Sequence, residues 1–242
     1  DNRRQRQMCI RDSIWPIFSQ VVGGDCPLCR RPGDGICRRC ARALPYNRHP
    51  CPRCALPLPE AAPPGMLCAE CQARTPSFDR VLAPLLYRAP VDKLVAGLKY
   101  HQQLHFGPLL AGILAELVQR EESGAQLLLP VPMQAQRLRE RGFNQAAELA
   151  RCLSLRLGIP WAADRLLRIH GGDPQQTLKR GQRRHNIRGA FAFSSALPAR
   201  VALIDDVMTT GATAEEASRT LRAAGAERIE VWTVARTPRE KA

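Results

Sequence analysis

The stretch "VALIDDVMTTGAT", Val201 to Thr213, predicts a parallel α/β sheet and indicates where a ligand binds. It begins with "VALI", a short apolar run typical of a strand that is buried in a parallel sheet. Two aspartates and a Thr-Thr-Gly turn follow, and a helical pattern then begins. Ligands of open α/β sheets bind beyond the carboxyl ends of the strands. We therefore expect a binding site where this strand ends.

The residues after "VALI" offer both kinds of polar group that a ribose 5-phosphate requires. The carboxylates of Asp205 and Asp206 can accept hydrogen bonds from sugar hydroxyls. Backbone N–H groups, hydroxyls and the positive end of a helix can hold a phosphate. The predicted phosphate-binding residues are Thr209, Thr210, Gly211, Ala212 and Thr213. Thr213 and Glu216 also have the spacing of a capping box at the start of the helix.

Predicted strands and helices alternate around this stretch, which indicates an α/β fold with a parallel sheet. We predict strands at residues 80–87, 126–131, 200–204 and 228–235. We predict helices at residues 91–100, 107–120, 144–157 and 214–224. Within the less regular part that follows, "GAFAF" fits a short strand.

Eight of the ten cysteines form four C-x-x-C pairs in a segment that has few large apolar residues and cannot build its own core. Two such pairs can surround one tetrahedral zinc ion, so we expect two structural Zn²⁺ ions. The predicted ligands are Cys26, Cys29, Cys37, Cys40, Cys51, Cys54, Cys68 and Cys71. The spacing leaves open whether consecutive or interleaved pairs share an ion. A disulfide framework is the alternative, and it is rare in reducing compartments.

Three parts follow from these patterns: an N-terminal helix at residues 1–22, the zinc-binding module at 23–76, and the α/β domain at 77–242. Ile10, Ile14 and Phe18 lie at helical spacing. Arg11 and Asp12 interrupt the apolar core that a signal peptide would need, so we expect a cytoplasmic protein. Apolar runs are shorter than the roughly 20 residues that span a bilayer, so we expect no membrane insertion.

The chain is strongly basic, with 36 Lys and Arg against 22 Asp and Glu and a formal net charge of +14. Such a charge favours polyanionic partners, either nucleic acid or phosphorylated small molecules. Composition alone does not choose between the two.

The string "LIDDVMTTGAT" closely resembles the phosphoribosyl pyrophosphate (PRPP) motif of type I phosphoribosyltransferases. In that family the paired acids bind the ribose 2′- and 3′-hydroxyls, and the Thr-Thr-Gly-x-Thr loop holds the 5′-phosphate. The resemblance implies the first role for Asp205 and Asp206 and the second for residues 209–213. It also implies that Mg²⁺ binds together with PRPP, mainly through substrate oxygens.

Two further stretches, "LPVPMQAQRLRERGFNQAAELA" and "QQTLKRGQRRHNIRGAFAF", resemble signatures of the ComF/GntX family. Together with the cysteine pairs, the resemblance covers nearly all of residues 26–237. It implies a phosphoribosyltransferase-like domain behind a zinc module. It also implies a role in natural competence or in the use of external DNA, with single-stranded DNA and DNA-uptake proteins as partners.

The first of these stretches contains an arginine-rich segment between a predicted strand and helix, which we interpret as a loop. The planar guanidinium of arginine suits bidentate contacts with phosphate oxygens. Arg137, Arg141 and Asn144 are the candidate pyrophosphate-binding residues. Arg139 fits a solvated basic face equally well.

Two functions from different classes could use this site. In one, the protein is an enzyme that transfers phosphoribosyl from PRPP to an acceptor that the sequence does not identify; no general base stands out. In the other, it is a non-catalytic component of DNA uptake that binds single-stranded DNA or a partner and keeps a vestigial PRPP pocket. Asp205 and Asp206 favour the PRPP site, because paired carboxylates would repel a DNA backbone.

Overall fold

The computed structural model describes residues 25–32, 35–100, 105–169 and 189–239. The predicted N-terminal helix at residues 1–22 and the basic stretch 175–188 lie outside these residues. The described part is an α/β fold with a parallel sheet and two cysteine-rich ribbons, which confirms the predicted fold class.

The main sheet contains five parallel strands: β1 (Arg80–Leu82), β2 (Leu85–Leu86), β3 (Leu127–Pro130), β6 (Arg200–Met208) and β7 (Arg228–Arg236). Their order is β1-β7-β6-β3, with β2 also paired to β7. Strands β4 (Leu166–Arg168) and β5 (Phe191–Phe193) form a separate antiparallel pair.

Seven helices lie in the described ranges: α1 (Arg38–Arg42), α2 (Ala69–Ala73), α3 (Val91–Tyr100), α4 (Phe106–Arg120), α5 (Ala135–Arg141), α6 (Gln145–Leu157) and α7 (Ala212–Ala223). The four helices predicted from the sequence correspond to α3, α4, α6 and α7, and their observed ends differ from the predicted ends by at most two residues. Of the helices in the part of the chain that the structure describes, none is long and apolar enough to cross a membrane.

Both faces of the main sheet are buried, as the run "VALI" predicts. Along β6, Ala202 and Ile204 belong to one hydrophobic core, which also contains residues of α3, α4 and α6. Val201 and Leu203 belong to the opposite core, which contains α7 and the second group of four cysteines. Because alternate side chains of a strand point to opposite faces, a strand covered on both sides is apolar throughout.

The sequence-based prediction of the strands needs two corrections. The strand predicted to end at Ile204 continues to Met208, so Asp205 and Asp206 lie within β6, where Asp205 pairs with Thr233. The strand predicted over residues 80–87 is divided into β1 and β2. The break contains Pro84, which has no N–H to donate to the sheet.

The segment interpreted as an arginine-rich loop is in fact the helix α5. Its sequence, "AQRLRER", consists of good helix formers. The helix ends at Gly142, which adopts a left-handed conformation with φ 79° and donates from its N–H to Leu138 O at 2.8 Å. This terminal glycine is the local signal that could have predicted the helix.

Candidate functional site

The centre of the site is the carboxyl end of β6, where Asp205 and Asp206 are both partly buried. The backbone N–H of Asp206 donates to Asp205 Oδ1 at 2.9 Å. The neighbouring strand β3 ends at the same edge, because Pro130 pairs with Ile204 and the N–H of Val131 donates to Ile204 O at 2.9 Å. The polar segment after β3 therefore begins beside the two aspartates.

Lys99, near the end of α3, reaches this acidic pair. Its Nζ forms an ion pair with Asp206 Oδ2, and the exposed fractions of the two side chains are 21% and 13%. We assigned Lys99 no role from the sequence, because "GLKY" contains nothing that indicates which distant residue its ammonium group meets. The ion pair makes Lys99 part of the site.

Burial and neighbouring charges shift the pKa values of Asp205 and Lys99. Burial raises the pKa of Asp205 well above its usual value, and the adjacent Asp206 raises it further, whereas the charge of Lys99 opposes the shift. Burial by itself would lower the pKa of Lys99, but attraction to Asp206 and Asp205 outweighs it and the pKa is raised. The charge of Lys99 thus favours the ionised state of Asp205, which is the state that accepts hydrogen bonds from hydroxyls.

The turn after β6 leads directly into the start of a helix. Gly211 has φ 79°, a backbone conformation that glycine adopts readily and other residues rarely adopt. The helix α7 begins directly after it, with Gly211 as a cap that offers no side-chain acceptor. A helix of this length has orphan N–H groups and a positive end at its start.

The predicted capping box at Thr213 and Glu216 is wrong. Because α7 begins at Ala212, Thr213 already lies inside the first turn and cannot be the cap. The buried Glu216 instead accepts from the N–H of Gly189 at 2.7 Å and from Arg219 at 2.5 Å. These contacts connect α7 to the segment that leads into β5.

The candidate pyrophosphate residues lie on or next to the helix α5. Arg137 is exposed, and Arg141 donates to Gln145 Oε1 at 3.2 Å. The structure adds Arg168 on β4, whose guanidinium lies 5.7 Å from the ring centre of Phe191. Burial, and then the charge of Arg137, lower the pKa of Arg168. Two arginines brought together in this way favour an anion between them.

Asn144 has a structural role in the described contacts. Its side chain accepts from Ala146 N–H at 3.0 Å and so caps α6, and it donates to Val131 O at 3.0 Å. It thereby holds the start of α6 at the end of β3. Its contact with pyrophosphate stays a prediction.

The eight paired cysteines form two tetrads from consecutive pairs. They are Cys26, Cys29, Cys37 and Cys40 in one, and Cys51, Cys54, Cys68 and Cys71 in the other, and within each tetrad the sulfurs lie within 4.8 Å of one another. Tetrahedral zinc with Zn–S bonds of about 2.3 Å places sulfurs about 3.8 Å apart. The observed Sγ–Sγ distances of 3.6 Å for Cys29 and Cys37 and 3.5 Å for Cys54 and Cys68 fit such an ion.

The second tetrad is attached to the site by polar contacts. Glu215, in the first turn of α7, accepts from the N–H of Ser77 at 2.8 Å, from Ser77 Oγ at 3.0 Å and from Arg74 at 3.0 Å.

The fully buried Arg236 of β7 forms a second connection. It donates to Cys54 O at 3.0 Å and to Met208 O at 2.9 Å. A cavity of about 460 Å³ lies between this tetrad and the start of α7. No sequence pattern predicts the role of Arg236, because its partner Cys54 is 182 residues away in the chain.

Comparisons with known proteins agree with these features. Residues 17–76 match the double zinc ribbon domain family. The chain is 34% identical to the DNA utilization protein YhgH of Salmonella typhimurium over 229 residues, which is 90% of this chain and 99% of that protein. The chain belongs to the YhgH family. Competence protein F of Haemophilus influenzae is 33% identical to this family member over 215 residues, or 84% of this chain and 91% of that protein. These relatives confirm the resemblance to the ComF/GntX family.

Among solved structures, glutamine PRPP amidotransferase from B. subtilis, in complex with ADP and GMP, matches this YhgH family member with a TM-score of 0.40 and 17% identity. The match covers 58% of this chain and 30% of that chain. A likeness this distant carries no function, and the fold rests on the strand order of the chain itself.

Proposed function

We propose that the chain binds PRPP or a related phosphoribosyl ligand, together with Mg²⁺, at the carboxyl edge of the sheet. One observation carries the proposal. The paired carboxylates Asp205 and Asp206 lie near the end of the central strand β6, which continues to Met208, and a short turn through Gly211 then leads to the start of α7. Acceptors for ribose hydroxyls and donors for a phosphate are thus held next to each other by rigid elements.

Each end of the ligand has matching groups. Asp205 and Asp206 accept from the ribose hydroxyls, and residues 209–213 hold the 5′-phosphate with N–H and hydroxyl groups. Lys99 forms an ion pair with Asp206, and its charge opposes the rise in the pKa of Asp205. Arg137, Arg141 and Arg168 would bind the pyrophosphate, with Asn144 holding the adjacent backbone. Mg²⁺ would bind mainly through substrate oxygens and neutralise part of the pyrophosphate charge.

The chemical use that fits this site is phosphoribosyl transfer. The bond between ribose C1 and the pyrophosphate oxygen breaks with both electrons leaving on pyrophosphate, and an acceptor nucleophile forms the new bond to C1. Positive charge develops on the ribose, and negative charge develops on the leaving group. The arginines near α5 would stabilise the leaving group, because fixed cations stabilise charge that increases in the transition state.

We place this activity in DNA uptake or the use of external DNA, in the cytoplasm. The proposal is supported by relatives that are named DNA utilization protein and competence protein. All nine described cysteines are free, and eight of them form the two tetrads, an arrangement that supports a reducing compartment. The net charge of +14 suits a site where DNA or phosphorylated compounds are handled.

Calorimetry with PRPP and Mg²⁺ tests the proposal on the double variant Asp205→Asn/Asp206→Asn. Its binding should fall below detection, while its fold and zinc content stay the same. The matched control is Glu122→Gln/Glu227→Gln, which removes the same charge from two exposed side chains away from this edge. Equal PRPP affinity in all three proteins would refute the site. No binding by the wild type would favour the alternative function, a non-catalytic component that binds single-stranded DNA or a partner.

A further inference from the structure

Arg236, the last residue of β7, connects three separate segments of the chain. Its side chain is buried, with 2% of the residue exposed. Nε donates to Cys54 O at 3.0 Å, and Nη1 donates to Met208 O at 2.9 Å, to Thr209 O and to Thr237 O at 3.2 Å. A buried guanidinium that donates to carbonyl groups holds them in one arrangement, because each of these charged hydrogen bonds is costly to lose.

These contacts decide how the phosphate turn is oriented. In a planar trans peptide the C=O and the N–H point in opposite directions. The carbonyls of Met208 and Thr209 point toward Arg236, so the N–H groups of Thr209 and Thr210 in the same peptides point away from it. These N–H groups belong to the turn that we propose as the phosphate cradle. Arg236 therefore fixes the direction of donors that it does not itself supply.

The other partner of Arg236 belongs to the second zinc ribbon. Cys54 is one of the four predicted zinc ligands of the buried tetrad, and its carbonyl lies in the same residue as its Sγ. Zinc bound by this tetrad would hold the Cys51 to Cys54 turn in place, because loss of a structural ion releases the loop that it closes. A movement of that turn would remove a hydrogen bond from Arg236 and loosen its hold on the cradle.

We propose that Arg236 is a positioning residue for the phosphate cradle, and that zinc in the second ribbon and a phosphoribosyl ligand stabilise each other through it. This inference rests on the proposed function. By thermodynamic linkage, the factor by which bound zinc raises the affinity for the ligand equals the factor by which the ligand raises the affinity for zinc. We expect the first ribbon to take no part in this coupling, because the hydrogen bonds of Arg236 described above reach only the second ribbon and the phosphate turn.

The first test uses the wild-type protein. Zinc release to a colorimetric chelator is followed with Mg²⁺ alone and with Mg²⁺ plus saturating PRPP. PRPP should slow the release of one ion about fivefold or more, the lower range of typical coupling, and leave the other unchanged. The variant Cys29→Ser, which disables the first ribbon, should retain the slowed phase. Release that PRPP affects in neither ribbon, or in both equally, overturns the inference.

The second test compares Arg236→Met and Arg236→Lys with Arg80→Met. Arg80 is the control because it also bonds within the fold, to the buried Glu230, but at the opposite end of β7. Arg236→Met should weaken PRPP binding about fivefold or more and remove the effect of PRPP on zinc release, and Arg236→Lys should restore part of both. Arg80→Met should lower stability without changing PRPP affinity.

The outcomes separate the two proposals. Normal PRPP binding in folded Arg236→Met refutes the role of Arg236 and leaves the proposed function intact. Absence of PRPP binding by the wild type refutes both. If Arg236→Met does not fold, the zinc-release measurement on the wild type decides.

Discussion

The two zinc ribbons have the same local structure. In each, the residue after the second cysteine has a positive φ, 55° at Arg30 and 53° at Ala55. In each, the N–H of the third cysteine donates to the sulfur of the first, at 3.4 Å from Cys37 to Cys26 and at 3.3 Å from Cys68 to Cys51. A short helix, α1 or α2, begins directly after that third cysteine. The same pair of C-x-x-C motifs has produced the same local structure twice, although the segment between the pairs is longer in the second ribbon.

The ribbons differ in their surroundings. Cys29 of the first ribbon is exposed, whereas all four cysteines of the second ribbon are buried. The first ribbon joins, through Ile36 and Leu44, the core that contains α3, the helix of Lys99. The second lies in the core of α7 and bonds through Arg236 to the phosphate turn. Local sequence thus makes a ribbon, and its surroundings decide what it supports.

The largest difference in stability between the two ribbons should appear when one cysteine is removed from each. Cys54→Ser should lower the free energy of unfolding by more than about 4 kcal/mol, since metal-binding energy is folding energy and the site is in a core. Cys29→Ser should lower it much less, because Cys29 is exposed and its side of the first ribbon can open locally. Urea unfolding with zinc analysis measures both. Equal losses would show that the two ribbons contribute alike.

The next largest effect should come from the attachment of the second ribbon to α7. Glu215→Ala removes the acceptor for the N–H and Oγ of Ser77, so a partly buried donor loses its partner. We expect a loss of about 1–3 kcal/mol in unfolding free energy. Glu227→Gln, which changes an exposed carboxylate, is the control and should change stability little. A stability equal to that of the wild type would mean that the contact is dispensable.

A third prediction concerns Lys99, whose helix α3 packs in the same core as the first ribbon. Lys99→Met removes the cation that opposes the raised pKa of Asp205, so that pKa should rise further. Ionised Asp205 is lost as pH falls through its pKa, so PRPP binding by the variant should disappear at a higher pH than in the wild type. At neutral pH we expect about tenfold weaker binding.

Calorimetry over a pH series measures this shift, with Lys93→Met as the control. Lys93 lies on the same helix and is exposed. Identical pH profiles for Lys99→Met and the wild type would contradict the electrostatic role of Lys99. Zinc content should remain unchanged in both variants, because neither lysine lies in a ribbon.

The smallest effect should come from the first ribbon's own hydrogen bond. Tyr46 Oη donates to Ala41 O at 3.1 Å, next to the end of α1. Tyr46→Phe should lower the free energy of unfolding by about 0.5–1.5 kcal/mol. PRPP affinity should not change. A change in PRPP affinity would show that the first ribbon also acts on the ligand site.

Much of the site follows from local patterns. The run "VALI" predicts a strand buried on both faces, and the acids and the glycine turn that follow it lie where a parallel sheet binds ligands. The C-x-x-C spacing predicts thiolate pairs for zinc. Even α5, which we interpreted as a loop, has a terminal glycine in its sequence.

Short-range patterns predict two groups of four cysteines, a buried central strand and an acidic pair before a phosphate-type turn, because each depends on residues close together in the chain. The contacts of Lys99 with Asp206 and of Arg236 with Cys54, 182 residues away, are visible only in the folded chain. They arise because β7 lies between β1 and β6, and this parallel order carries its last residue between the second ribbon and the end of β6. No local pattern encodes such a neighbour.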